Sequence, residues 1–223
     1  MKIPSSEADT LFQKMLQQKW GDGLDGSKTS IHYGCSYTMY GGAADGEIPE
    51  IPSFLAADII PRLERQIQMP INYVQCHNYD PSKTVHPHKD PAGMIVPMLA
   101  MGQERTFRVG GTMPKWAYQF PQLRRKIEDH VPEKEILLDH GRILTFNGGK
   151  ILHSMLPADC DPQFRANGCD TRITLLFRYT TPAMRKFGCN KNLESQQQYQ
   201  MIREAYRNGT LKLFPETNEQ EKA

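Results

Sequence analysis

The chain has 223 residues, of which 39% are hydrophobic and 23% charged, and its net charge is +2 at pH 7. This length suits one sizeable domain of ordinary globular composition. The small net charge permits a nucleic-acid partner without arguing for one, since dedicated nucleic-acid binders concentrate far more positive charge. Five cysteines without a C-x-x-C pair argue against a disulfide scaffold or a thiolate zinc site. They favour an intracellular, reducing compartment, the cytoplasm or the nucleus.

The predicted elements begin with an amphipathic helix at residues 6–20, where apolar side chains recur at helical spacing. Residues 21–50 are rich in glycine and tyrosine, which indicates loops and short hairpins. A second helix is predicted at 52–66, a basic insertion at 114–131 and a last helix at 193–207. Short strands are predicted at 71–77, 95–100, 106–109, 135–138, 143–146 and 171–180.

This order of elements predicts an α+β protein, since helices come first and many short strands follow. A β-sandwich or barrel with helices packed outside it fits such an order. We divide the predicted single domain into N-terminal helices and a lid-like segment (1–66), a core (67–182), and a C-terminal helix with its tail (183–223). The longest apolar run, 94–101, is too short to cross a bilayer, and no signal-like apolar run stands near residue 1. We therefore expect no membrane contact.

A candidate metal motif, His-Pro-His-Lys-Asp, occupies residues 86–90. Side chains two apart in an extended segment project from the same face, so His88 and Asp90 can bind one ion. A third ligand from a distant strand would complete the 2-His-1-carboxylate triad of non-haem iron(II) oxygenases, which leaves coordination positions open. Taken alone the motif is weak, because a surface turn between two prolines explains it equally well.

The strand predicted at 171–180 carries Arg172, Thr174, Leu176 and Arg178 on one face. The two arginines lie roughly 20 Å apart along the strand, and side chains that lean inward would leave a gap about the length of a five-carbon diacid. Guanidinium groups match carboxylates in geometry and charge. The alternative is an edge strand whose polar face is in solvent.

The combination of H-x-D, a distal histidine and R-x5-R resembles the AlkB-like family of Fe(II)- and 2-oxoglutarate-dependent dioxygenases. A tyrosine-rich segment, Ile31–Gly42, is similar to the lid that helps these enzymes recognise a nucleotide. The resemblance runs from about residue 31 to residue 180. It implies a double-stranded β-helix (jelly-roll) core, Fe(II), and 2-oxoglutarate and O2 as co-substrates.

The resemblance also implies the metal ligands. His88, Asp90 and His153 match the family's three ligands, and they would be the catalytic centre. His153 follows a turn and precedes a predicted strand, as the family's distal ligand does. His140 competes for the same role, but it precedes a strand where the family has a turn.

Five residues are expected, by the same resemblance, to bind 2-oxoglutarate. Arg172 would pair with the distal carboxylate and Tyr79 would donate a hydroxyl. Arg178 would lie near the metal-chelating end, and Thr174 shares the face of both arginines. His77 stands where the family usually has asparagine, which makes its part in binding the co-substrate a departure from the pattern.

The implied reaction is oxidative demethylation of N-alkylated bases in DNA or RNA, a DNA-repair type of activity on a single-stranded or flipped base. Tyr33, Tyr37 and Tyr40 are the candidate base-stacking residues. Repair members usually have an acidic residue shortly after the metal-binding aspartate, and here Pro91-Ala92-Gly93 follows. Hydroxylation of a protein side chain or of a 5-methylpyrimidine therefore stays open. We expect a monomer.

Overall fold

The computed structural model describes residues 1–20, 28–34, 49–80, 83–90, 95–116, 126–158, 171–187 and 193–211. Within these ranges the α-helices are α1 (Ser5–Leu16), α2 (Ser53–Ala56), α3 (Ile59–Ile67), α4 (Pro182–Phe187) and α5 (Leu193–Arg207), and a 3-10 helix covers Ile127–Asp129. None of these helices is long and apolar enough to cross a membrane.

The strands of the described ranges form two antiparallel sheets. They are β1 (Lys28–Gly34), β2 (Tyr73–Tyr79), β3 (Val85–His88), β4 (Ile95–Gly102), β5 (Arg105–Val109), β6 (Lys134–Leu138), β7 (Arg142–Asn147), β8 (His153–Met155) and β9 (Arg172–Arg178). The five-stranded sheet has the order β1-β2-β9-β4-β7, and the four-stranded sheet has the order β3-β8-β5-β6. From β2 onward the chain passes repeatedly from one sheet to the other.

The helices cover the outer face of the five-stranded sheet. Leu11 and Met15 of α1 and Leu63 of α3 pack with Leu175 and Phe177 of β9 in the larger apolar cluster. Because side chains alternate along a strand, the next residues of β9 turn to the other face, between the sheets. A smaller apolar cluster fills that interior with residues from both sheets: Met98, Ala100, Phe107, Leu138 and Met155.

The predicted α+β class with helices packed outside the strands is confirmed, and both sheets are antiparallel. The helix predicted at 52–66 is two helices, since a turn at Ala57 and Asp58 separates α2 from α3. The α4 helix and strands β1, β3 and β8 were not predicted as such. The β8 strand is three residues long and β3 contains Pro87, so neither has the sustained alternation on which strand prediction depends. Half of the predicted basic insertion at 114–131, namely residues 117–125, lies outside the described residues.

Candidate metal centre and anion pocket

Strand pairing brings the predicted metal ligands together. His88 ends β3 and lies directly opposite His153, the first residue of β8. Asp90 follows His88 by two residues, so its carboxylate joins the same end of the sheet. One potential ligand atom from each of the three residues lies within 4.8 Å of the others.

Hydrogen bonds at the far side of each imidazole orient the two histidines. Nδ1 of His88 is 2.7 Å from the carbonyl oxygen of His86, and Nδ1 of His153 is 2.9 Å from that of Ile151. A carbonyl can only accept, so in the neutral imidazole Nδ1 carries the proton and Nε2 keeps its lone pair. Those two Nε2 atoms are 3.7 and 3.9 Å from Oδ1 of Asp90. Backbone carbonyls that fix imidazoles in this way are typical of metal-binding histidines, and the donor set fits Fe(II).

The protein environment keeps His153 neutral. Its side chain is 6% exposed, whereas that of His88 is 42% exposed. The rings of Phe107 and Phe146 pack against His153 with centroids 5.6 and 5.0 Å away. Burial, and then the nearby His88, lower the pKa of His153 to about 4. The imidazole is therefore available as a ligand at neutral pH without first losing a proton.

Gly148 fixes the position of Asp90, the third predicted ligand, and sequence analysis did not single out this glycine. Its carbonyl oxygen accepts a hydrogen bond of 2.9 Å from the backbone N–H of Asp90. A Cβ atom added to Gly148 would stand 1.9 Å from Oδ2 of Asp90, far inside van der Waals contact. The carboxylate therefore occupies the space where any other residue would have a side chain. Residues 147–149, Asn-Gly-Gly, carry a turn signal but give no hint of this contact.

The predicted co-substrate residues share one face between the sheets. Strand β9 pairs with β2 so that Arg172 lies opposite Tyr79 and Thr174 lies opposite His77. Directly paired residues of antiparallel strands point to the same side. Arg178, six residues from Arg172, points to that side as well. The alternative of an edge strand facing solvent is wrong, because β9 lies between β2 and β4 and Arg172 is fully buried.

Arg172 keeps two unused donors in this interior. Its Nη1 donates to the carbonyls of Gln103 and Leu138, each at 2.7 Å. Within the described part of the chain, Nε and Nη2 of Arg172 and the hydroxyl of Thr174 have no hydrogen-bond partner. Burial lowers the pKa of Arg172, and the neighbouring Arg105 lowers it further. A buried cation with free N–H groups is the environment that a carboxylate ligand completes.

Arg105 is a second buried arginine that sequence analysis missed. It is 1% exposed, and it donates from Nε to the Leu156 carbonyl at 2.8 Å and from Nη2 to the Lys83 carbonyl. Burial raises the pKa of Tyr79 to about 12, and the positive charges of Arg105 and Arg172 oppose that rise. Tyr79 is thus a neutral hydroxyl at pH 7, close to both cations. In the sequence, Arg105 alternates with Phe107 and Val109, a weak sign that it points inward.

The structure corrects the expectation for Tyr33. Its side chain is 4% exposed in the apolar cluster under the helices, where its hydroxyl donates to Oε1 of Gln18 at 3.1 Å. It lies opposite Val74, on the face of the sheet away from Arg172. Tyr33 therefore cannot line the interior where a substrate would meet the metal. Tyr37 and Tyr40 lie outside the described residues.

His140, the alternative candidate for the distal metal ligand, makes contacts elsewhere in the fold. Its Nδ1 accepts a hydrogen bond from the backbone N–H of Gly102 at 2.9 Å. Its Nε2 is 3.2 Å from Asp9, and its ring packs edge-on against Phe12 of α1. His140 thus connects the sheet to the first helix, and His153 is the histidine that meets His88 and Asp90.

Comparison with solved structures gives similarity of fold. OsALKBH1 superposes with a TM-score of 0.50 at 17% identity, over 79% of this chain and 92% of its own. A 2OG-Fe(II) oxygenase family protein from Burkholderia pseudomallei gives a TM-score of 0.49 at 11% identity, over 84% and 82%. The Escherichia coli ribosomal oxygenase YcfD gives 0.39 at 14% identity, over 81% and 46%. No protein-family model matches the sequence, and no curated protein matches it significantly.

Proposed function

We propose that this protein is an Fe(II)- and 2-oxoglutarate-dependent dioxygenase with a double-stranded β-helix core. The observation that carries the proposal is the orientation of His88 and His153, whose free Nε2 atoms both face Oδ1 of Asp90. Three protein ligands on one side of an ion leave room for a co-substrate and O2. Fe(II), when bound with 2-oxoglutarate and O2, supplies hydroxylation of a C–H bond and converts the co-substrate to succinate and CO2.

The protein's own residues bind and orient the co-substrate in this proposal. Arg172 offers Nε and Nη2 to the distal carboxylate, and Thr174 and Tyr79 offer hydroxyl groups beside it. His77 and Arg178 lie further along the same face. The aromatic rings of Phe107 and Phe146 pack against His153, shield it from solvent and restrict its orientation.

For the substrate, we propose an N-alkylated base of DNA or RNA, whose hydroxylated N-methyl group leaves as formaldehyde. The support is the lid-like tyrosine segment with Tyr37 and Tyr40, together with the order of motifs in the chain. The sequence Pro91-Ala92-Gly93 after Asp90 lacks the carboxylate that a cationic methylated base would favour. That departure favours a second candidate, hydroxylation of a protein side chain or of a 5-methylpyrimidine.

One assay separates these candidates. The purified protein, loaded with Fe(II), would be given 2-oxoglutarate and either methylated single-stranded oligonucleotides or peptides, with succinate and formaldehyde measured in parallel. Demethylation predicts equal amounts of succinate and formaldehyde with the oligonucleotides, and neither with Asp90→Ala. Succinate without formaldehyde, coupled to a 5-methylpyrimidine or a peptide, would support hydroxylation instead. Failure of the wild type to bind metal and 2-oxoglutarate would refute the dioxygenase proposal itself.

A further inference from the structure

We propose that Arg105 is a second binding residue for the distal carboxylate of 2-oxoglutarate, acting together with Arg172. This inference rests on the proposed function and extends it to a residue outside the R-x5-R pair. Arg105 belongs to β5 in the four-stranded sheet, whereas Arg172 belongs to β9 in the five-stranded sheet. The carboxylate would thus be held from both sheets.

Arg105 and Arg172 both lie at the end of the interior that contains Leu138. Arg105 lies directly opposite Leu138 in the pairing of β5 with β6, and the carbonyl of Leu138 accepts a hydrogen bond from Arg172. Arg105 alternates with Phe107, which packs in the interior cluster, so its side chain is on the interior side of β5. Tyr79, opposite Arg172 in β2, is close to both charges. These residues surround one end of the interior, away from the metal ligands.

Two features make this end a carboxylate site. Arg105 and Arg172 are 1% and 0% exposed, and each positive charge disfavours the other in a region of low dielectric. Backbone carbonyls accept hydrogen bonds from both arginines and fix their side chains in place. A carboxylate between them would relieve the repulsion and accept the free N–H groups of Arg172. A ligand without that carboxylate would gain nothing from Arg105.

The test compares two ligands that differ only at the distal end. Manganese-loaded protein would be titrated calorimetrically, without O2, with 2-oxoglutarate and with 2-oxopentanoate, which has the same chain but no distal carboxylate. Arg105→Met should weaken 2-oxoglutarate binding about 10- to 100-fold, the usual loss for a charge-assisted hydrogen bond. Its affinity for 2-oxopentanoate should change less than about threefold. Arg108→Met is the matched control, since Arg108 is in the same strand, on the other face, and pairs with Glu135.

The ratio of the two affinities decides the matter. A structural role for Arg105 would weaken both ligands alike, so an unchanged ratio in Arg105→Met would overturn the inference. If Arg105→Met does not fold, as judged by circular dichroism, Arg105→Lys takes its place. Lysine keeps the charge but not the planar fork. The ratio of the affinity for 2-oxoglutarate to that for 2-oxopentanoate should then fall about three- to tenfold. An unchanged ratio in Arg105→Lys would also overturn the inference. Failure of the wild type to bind 2-oxoglutarate would instead refute the proposed function.

Discussion

Gly148→Ala is the sharpest perturbation of the proposed metal centre, because it leaves all three ligands in the sequence. The added Cβ would stand 1.9 Å from Oδ2 of Asp90 and 2.8 Å from its Cγ. Ordinary contact begins at 3.4 Å, so the carboxylate would have to retreat by about 1.5 Å or the turn would have to move. Moving the turn would also stretch the hydrogen bond from Asp90 N–H to the Gly148 carbonyl. Either response displaces the ligand.

The expected effect on metal binding follows from that displacement. Metal–ligand distances in proteins vary by only about 0.2 Å, so a shift of this size removes Asp90 from the coordination sphere. Loss of a residue that merely orients a ligand typically lowers metal affinity by about 10- to 100-fold. Gly148→Ala should therefore lower the affinity for Mn(II) or Co(II) by at least about 100-fold. Turnover of 2-oxoglutarate should fall with it.

Metal titration of the apoprotein, with circular dichroism as a check on folding, is the direct assay. Gly149→Ala adds the same methyl group one residue later, where the backbone is outside the left-handed region. Lys150→Ala changes an exposed side chain of the same turn. Both controls should bind metal as the wild type does. A folded Gly148→Ala protein with wild-type affinity would show that Asp90 is not a ligand in the position described.

Four further outcomes are expected. His153→Ala should abolish metal-dependent turnover while His140→Ala keeps it, which activity assays of both variants would show; the reverse result would transfer the ligand role to His140. Arg172→Lys should raise the apparent KM for 2-oxoglutarate roughly ten- to a hundred-fold, equivalent to about 1.5–3 kcal/mol, and an unchanged KM would mean that Arg172 does not contact the co-substrate. With Mn(II) present, 2-oxoglutarate at about 100 times its Kd should stabilise the fold by about 2.7 kcal/mol, raising Tm by several degrees in differential scanning fluorimetry; no shift would contradict an interior site. Ala92→Asp should increase the ratio of formaldehyde release from 1-methyladenine to that from a neutral N-methyl base, by an amount equivalent to about 1 kcal/mol. The same ratio in wild type and variant would contradict the argument from the missing carboxylate after Asp90.

Strand alternation is the part of the site that the sequence could predict. Arg172, Thr174 and Arg178 share a face in any strand covering 171–180, and His88 and Asp90 share a face in any extended segment. The register against β2, which brings Tyr79 and His77 onto the face of the arginines, came from the resemblance and not from the pattern itself. A shift of one residue would have turned Tyr79 to the other face.

The roles of Gly148, Arg105 and Tyr33 could not be predicted from the sequence for one shared physical reason. Each role depends on contacts with residues far away in the chain. Gly148 matters because a turn between β7 and β8 folds onto Asp90, 58 residues earlier. Arg105 is interior because it shares a face of β5 with Phe107, which packs against residues of distant strands between the sheets. Tyr33 resembles a lid residue by its local motif, but pairing of β1 with β2 turns it toward the helices. Local spacing carries no information about such contacts.

The unused donors of Arg172 explain why this interior would select an anionic co-substrate. An unsatisfied buried donor costs about 1–3 kcal/mol, and a buried charge costs more. Strand β9 is paired on both sides, by β2 and by β4, which holds the buried Arg172 in place between the sheets. Water could accept hydrogen bonds from Nε and Nη2, but it would not neutralise the guanidinium. A carboxylate would do both, so we expect an anionic ligand to bind at Arg172 more tightly than a neutral ligand of the same shape.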